Sequence, residues 1–142
     1  MKYMLIMRTP VEQTFPDDFD WTEVINAMGA FNESLIKAGV LLGGDGLAPV
    51  EEGFVVDFDS TPPVVTDGPY AEAKELFSGF WIIQTSTKEE AAEWAKRCPL
   101  GPGTRLEVRR ITENAEFDQD NEYVQKEQAW REELGSDRPV DG

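Results

Sequence analysis

Two segments of this chain are apolar on both sides of an extended strand, and this limits the available folds more than any other feature. In KYMLIMR (Lys2–Arg8), Met4 and Ile6 alternate with Tyr3, Leu5 and Met7. In Phe77–Thr85, Phe80 and Ile82 alternate with Trp81 and Ile83. Successive side chains point to opposite faces of a strand, so each segment needs cover on both. Burying one such side chain is worth about 1.5–3 kcal/mol, and several left in water favour association. Helices can cover one face; the pattern predicts that a second copy of the sheet covers the other, making a homodimer.

Two helices are legible from their start signals. Asp20 with Glu23, and Thr87 with Glu90, have capping-box spacing. The first pair opens an apolar stripe of Trp21, Val24, Ile25, Met28, Phe31, Leu35 and Ile36, closed by Gly39 where a left-handed cap favours glycine. The second opens a helix through Ala91, Trp94, Ala95 and Cys98 that Pro99 ends. Extended segments at Val40–Leu42, Phe54–Phe58 and Thr104–Ile111 complete a β-α-β-β-β-α-β order. That order predicts an α+β ferredoxin-like sandwich, an antiparallel sheet with two helices on one face. Residues 1–112 form this domain, and 113–142 form an acidic C-terminal extension, helical from about Glu122 to Leu134. Its Tyr123, Ala129, Trp130 and Leu134 suit docking on the protein's own dimer, the plainer choice, or on a partner protein.

Charge and residue usage exclude several functions. The net charge of −15 argues against nucleic acid and anionic membranes as partners. About half of it lies beyond Thr112, where ten acids accompany Lys126, Arg131 and Arg138. The chain has no histidine, which removes the commonest general base and metal ligand and with them Ser-His-Asp, Cys-His and most zinc chemistry. Asp17, Asp18 and Asp20 do not have the spacing of a calcium loop. No metal or cofactor is expected. Cys98 is the single cysteine and reads as a core thiol. Tyr3–Met7 is too short to span a membrane, and with no signal-peptide pattern the expected location is cytoplasmic.

The densest cluster of reactive groups is TDGPYAEAKELFSGFW (Thr66–Trp81). On a helical turn, Glu72 and Glu75 share one side at i,i+3 spacing, and their repulsion would separate them into an acid and a base. On a bulged strand, Lys74 would lie between them. Asp67, Glu72, Lys74 and Glu75 are therefore the catalytic candidates, while the plainer alternative is a charged surface turn. Asp67-Gly68-Pro69 has the residues that a tight turn demands. Gly43-Gly44-Asp45-Gly46 lacks phosphate-loop spacing and fits a strand bulge where two backbones approach. Asp45 keeps a claim as a cleft carboxylate. Arg8 is placed to meet an anionic ligand or Asp67. Arg8, Asp45, Asp67 and Tyr70 are the ligand-binding candidates, for a small molecule.

The stretches MKYMLIM, AGVLLGGDGL, DGPYAEAKE, SGFWII and EEAAEWAKRCP resemble the YCII-related proteins, and more narrowly their D-G-P-F motif branch, over about residues 1–112. The resemblance implies a ferredoxin-like fold that dimerises through its sheets. It also implies a small bacterial protein, with relatives often encoded near extracytoplasmic-function sigma factors. The branch has no established activity. Some wider relatives carry a histidine–aspartate pair proposed as catalytic, which a chain without histidine does not share. Tyr70 stands where the motif has Phe, keeping the ring and adding a hydroxyl. The expected function is a ligand-binding or regulatory module. The alternative is a histidine-independent enzyme, using carboxylate and lysine acid-base chemistry on a small polar metabolite in an inter-subunit cleft.

Overall fold

A computed structural model describes residues 1–69, 72–135 and 139–140. In chain order the main elements are β1 (Lys2–Pro10), α1 (Trp21–Lys37), β2 (Leu41–Gly46), β3 (Phe54–Asp57) and β4 (Val64–Asp67). They continue with β5 (Glu75–Gln84), α2 (Lys88–Lys96), β6 (Arg105–Arg110) and α3 (Glu122–Leu134). The two doubly apolar segments become the central strands of a four-stranded antiparallel sheet ordered β2-β5-β1-β6. Central strands are shielded by neighbours on both edges, which is where apolar side chains on both faces are least costly. Tyr3, Leu5, Trp81 and Ile83 pack with Phe31 and Leu35 of α1 and Ala91 of α2. Both helices therefore cover the same face, an α+β arrangement compatible with the ferredoxin-like expectation.

The helix starts follow their sequence signals. The Asp20 carboxylate accepts the Glu23 N–H at 3.1 Å, and the Thr87 hydroxyl accepts the Glu90 N–H at 3.1 Å. Such caps are worth about 1 kcal/mol each. Gly39, at φ +71°, takes the left-handed turn that releases the chain into β2. The predicted α1 stripe is buried only in its second half. Phe31 and Leu35 are in the core, whereas Trp21 and Ile25 are exposed. Trp21 packs instead on Phe15 and Phe19, with ring centroids 4.8 Å apart in both pairs.

The sheet's open face carries Met4, Ile6, Phe80 and Ile82. Ile6 is buried and the other three are half-buried within one chain, so strand neighbours already cover more of this face than alternation alone predicts. A larger exposed apolar surface lies elsewhere. Strands β3 and β4 form a separate antiparallel hairpin, paired from Phe54↔Asp67 to Asp57↔Val64. There Phe54, Val65 and Phe58 are 66%, 61% and 77% exposed. β4 is a strand that the sequence reading did not anticipate. The turn expected at Asp67-Gly68-Pro69 follows it, with Gly68 at φ +84° and its N–H donating to the Gly53 carbonyl at 3.0 Å.

The acidic extension does not hang free. Asn121 caps α3 by accepting the N–H groups of Tyr123 and Val124. Asn114 donates to the Val124 carbonyl and to Gln128, at 3.2 and 2.9 Å. Lys2 and Gln84, opposite each other on β1 and β5, share a cavity with Gln128 and Arg131 of α3. Beyond α3, the Val140 N–H donates to the Leu41 carbonyl of β2 at 2.7 Å. Tyr123, Trp130 and Leu134 are exposed on α3.

Candidate functional site

The charged candidates separate into two groups. Arg8 and Glu75 meet on the open side of the sheet. Arg8 Nη1 donates to Glu107 Oε2 at 2.8 Å, and Arg8 Nε lies 3.6 Å from Glu75 Oε2, an ion pair too long for a hydrogen bond. Arg105 Nε lies 3.7 Å from the other Glu75 oxygen. Two arginines and two glutamates thus neutralise one another. This corrects two expectations. Arg8 pairs with Glu75 and Glu107 rather than with Asp67, and Glu75 opens β5 instead of completing a helical turn with Glu72.

The second group stays apart. Asp67 ends β4, and Asp67, Glu72 and Lys74 are exposed. Among the described residues no hydrogen bond or ion pair joins their side chains. Lys74 contributes its backbone carbonyl, which accepts the Val11 N–H at 3.2 Å. Tyr70 lies outside the described residues. Among those residues no group of three metal-ligating side chains occurs, and no helix is long and apolar enough to cross a membrane. Burial pushes the Cys98 thiol up to about 12, which keeps it protonated and unreactive at neutral pH.

A cleft with the dimensions of a ligand site lies on the helix side, between α1 and the ends of β2, β5 and β1. Its volume is about 480 Å³, within the usual range for small-molecule sites. Met7, Met28, Ile36, Leu41 and Trp81 form its apolar walls. Glycines make its floor. Gly44 pairs with Trp81 and Gly46 with Gly79, so all three glycines occupy helix-facing positions of the sheet. A Cβ at Gly44 would stand 2.7 Å from the Phe80 carbonyl oxygen, so the close approach of β2 to β5 requires glycine there. A Cβ at Gly46 would meet nothing within 4 Å and would point into open space. The sequence reading of this segment as a bulge holds, with the register shifting between Leu41 and Gly43.

Asp45 also lines the cleft. Its strand partner is Phe80, so alternation turns its carboxylate toward the open face. The polar side chain of the cleft is Asn32, whose Oδ1 accepts the Trp81 indole N–H at 2.7 Å. Phe31 meets the Trp81 ring edge-on, centroids 5.6 Å apart at 85°. Sequence reasoning missed Asn32, although a signal was present. It interrupts the apolar stripe midway between Met28 and Ile36, four residues from each. The glycines of β2 were read as a bulge, and what the sequence did not show is that Gly44 and Gly46 floor a cleft.

Comparison with known proteins agrees with the sequence resemblance at the level of family. An uncharacterized protein of Rhizobium meliloti (strain 1021) is 29% identical over 73 residues, 51% of this chain and 59% of that relative. The chain thus spans a little over half the length of the curated relative it matches. A family model described as YCII-related domain matches residues 1–118, and the chain belongs to the YCII-related domain family.

Proposed function

We propose that this chain is a cytoplasmic, homodimeric small-molecule-binding module of the D-G-P-F branch, with the glycine-floored cleft beneath α1 as its ligand site. The observation that carries the reading is the cleft itself: about 480 Å³, apolar walls, and one polar side chain already oriented by Trp81. Pockets of this composition are the default ligand sites of small domains. The branch assignment rests on Asp67-Gly68-Pro69, where Gly68 closes the base of the β3–β4 hairpin. Support for the dimer comes from the exposed apolar hairpin residues Phe54, Phe58 and Val65, together with half-buried Met4, Phe80 and Ile82 on the open face. Exposed Trp130 and Leu134 of α3 add apolar surface for the same contact.

A thermal-shift screen of small metabolites tests the site against three proteins: wild type, Gly46→Phe and Glu72→Ala/Lys74→Ala. A ligand of the cleft raises the melting midpoint of wild type and of the double variant but not of Gly46→Phe. Hits lost only in the double variant would move the site to the charged turn and refute the cleft. Sedimentation at micromolar concentration tests the dimer, for which a monomeric mass is the refuting result.

A further inference from the structure

Resting on that reading of the cleft, we infer that its ligand is an uncharged, mainly apolar molecule with a single hydrogen-bond acceptor, such as a ketone or ester carbonyl, received by the Asn32 amide NH₂. The indole N–H of Trp81 can only donate. Its 2.7 Å bond to Asn32 therefore fixes the oxygen of the amide toward Trp81 and turns Nδ2 away from it. Nδ2 donates to no protein group among the described residues, while Asn32 lines the cleft. A donor held in one orientation inside apolar walls is the arrangement that discriminates ligands by an acceptor.

Charge is discriminated against by the same walls. Among the described residues no lysine or arginine lines the cleft to receive an anion. Asp45, which does line it, pairs with Phe80, so strand alternation turns its carboxylate toward the opposite face. A charged ligand would surrender its hydration without an ionic partner, a far larger penalty than an unmade neutral hydrogen bond. Met7 and Met28, both flexible thioethers, let the walls adapt to the apolar body of the ligand.

Four bicyclic probes of one skeleton test the inference by calorimetric titration: acetonaphthone, methylnaphthalene, naphthoate and naphthylmethylammonium. Wild type should bind the ketone about tenfold more tightly than the hydrocarbon, and at least about a hundredfold more tightly than either ion. Asn32→Asp keeps an acceptor for the Trp81 indole and removes the donor. It should erase the advantage of the ketone and improve binding of the ammonium probe about tenfold. In wild type, the Asn32 side-chain amide resonances should shift with the ketone and stay in place with the hydrocarbon, a readout that does not depend on any variant folding. Equal affinity for ketone and hydrocarbon, or a preference for either ion, overturns the ligand class while leaving the cleft as a binding site, provided that Gly46→Phe blocks the probes. Binding of every probe to Gly46→Phe as to wild type, or no binding to wild type at all, overturns the class and the cleft together.

Discussion

The two faces of the central sheet handle polarity in opposite ways. On the open side, Arg8, Glu75, Arg105 and Glu107 form a partly exposed cluster in which each charge has an opposite neighbour. On the helix side, one amide stands alone among Met7, Met28, Ile36, Leu41 and Trp81. Of the charges singled out in the sequence, Arg8 and Glu75 are engaged with each other and with Glu107 and Arg105, while Asp67, Glu72 and Lys74 stay apart. Partly exposed pairs such as Arg8 and Glu75 add little stability. The lone amide has apolar neighbours, and among the described residues its Nδ2 has no protein partner. Charge density marks where a chain balances its own electrostatics; a recess with one unpartnered donor marks where it can hold something else.

The contrast is easiest to break through the core beside the cleft. Leu35 is fully buried, and Leu35→Ala should cost about 2–5 kcal/mol in chemical denaturation. A loss below about 1 kcal/mol would mean that the helix side is not the tightly packed one. Next comes the floor. Gly44→Ala forces a Cβ against the Phe80 carbonyl and should cost about 1–3 kcal/mol, whereas Gly46→Ala projects into open space and should change the urea midpoint little. Equal effects at the two positions would contradict the β2–β5 register. On the open face, Arg8→Leu should cost no more than about 1 kcal/mol, because the Arg8 side chain is 37% exposed and its partners are as accessible. A larger loss there would erase the distinction between the faces.

The smallest effect concerns pH. The Cys98 thiol is raised to about 12 by burial among apolar groups, whereas an unfolded thiol ionises near about 8.5. Below that value both states hold the proton and pH has no influence through this group. Between about 8.5 and 12 only the unfolded chain releases it, so this contribution to stability declines as pH rises. Wild type should lose stability relative to Cys98→Ala between pH of about 8 and about 10 in paired urea titrations. At neutral pH, maleimide should modify the folded protein far more slowly than the unfolded chain.

Much of the fold was legible because its signals are local. Asp20 and Thr87 cap the helices that they announce, and α3 runs from Glu122 to Leu134, the limits read from the sequence. β4 was not legible. Its four residues stand between Pro63 and Gly68, and only pairing with β3 makes them a strand. Glu75 was misjudged for a related reason, since nothing nearby in sequence reveals Arg8 and Arg105 as its partners. Trp21 and Ile25 keep helical spacing yet lie off the core, because periodicity identifies a face without saying how far along the helix the sheet extends. The cleft was the hardest part to foresee. Asparagine and glycine carry no titration signal, and their arrangement appears only when β2 pairs with β5 beneath α1.

The bond from the Val140 N–H to the Leu41 carbonyl bears on how this protein behaves in a crowded solution. β2 is an outer strand with glycine at Gly43, Gly44 and Gly46, smooth enough to template a foreign strand along its free side. The returning chain occupies that side at Leu41, and Pro139, immediately before Val140, has no N–H with which to continue a ladder. The Val140 bond thereby covers the Leu41 end of the β2 edge, one of the positions at which another strand would otherwise pair.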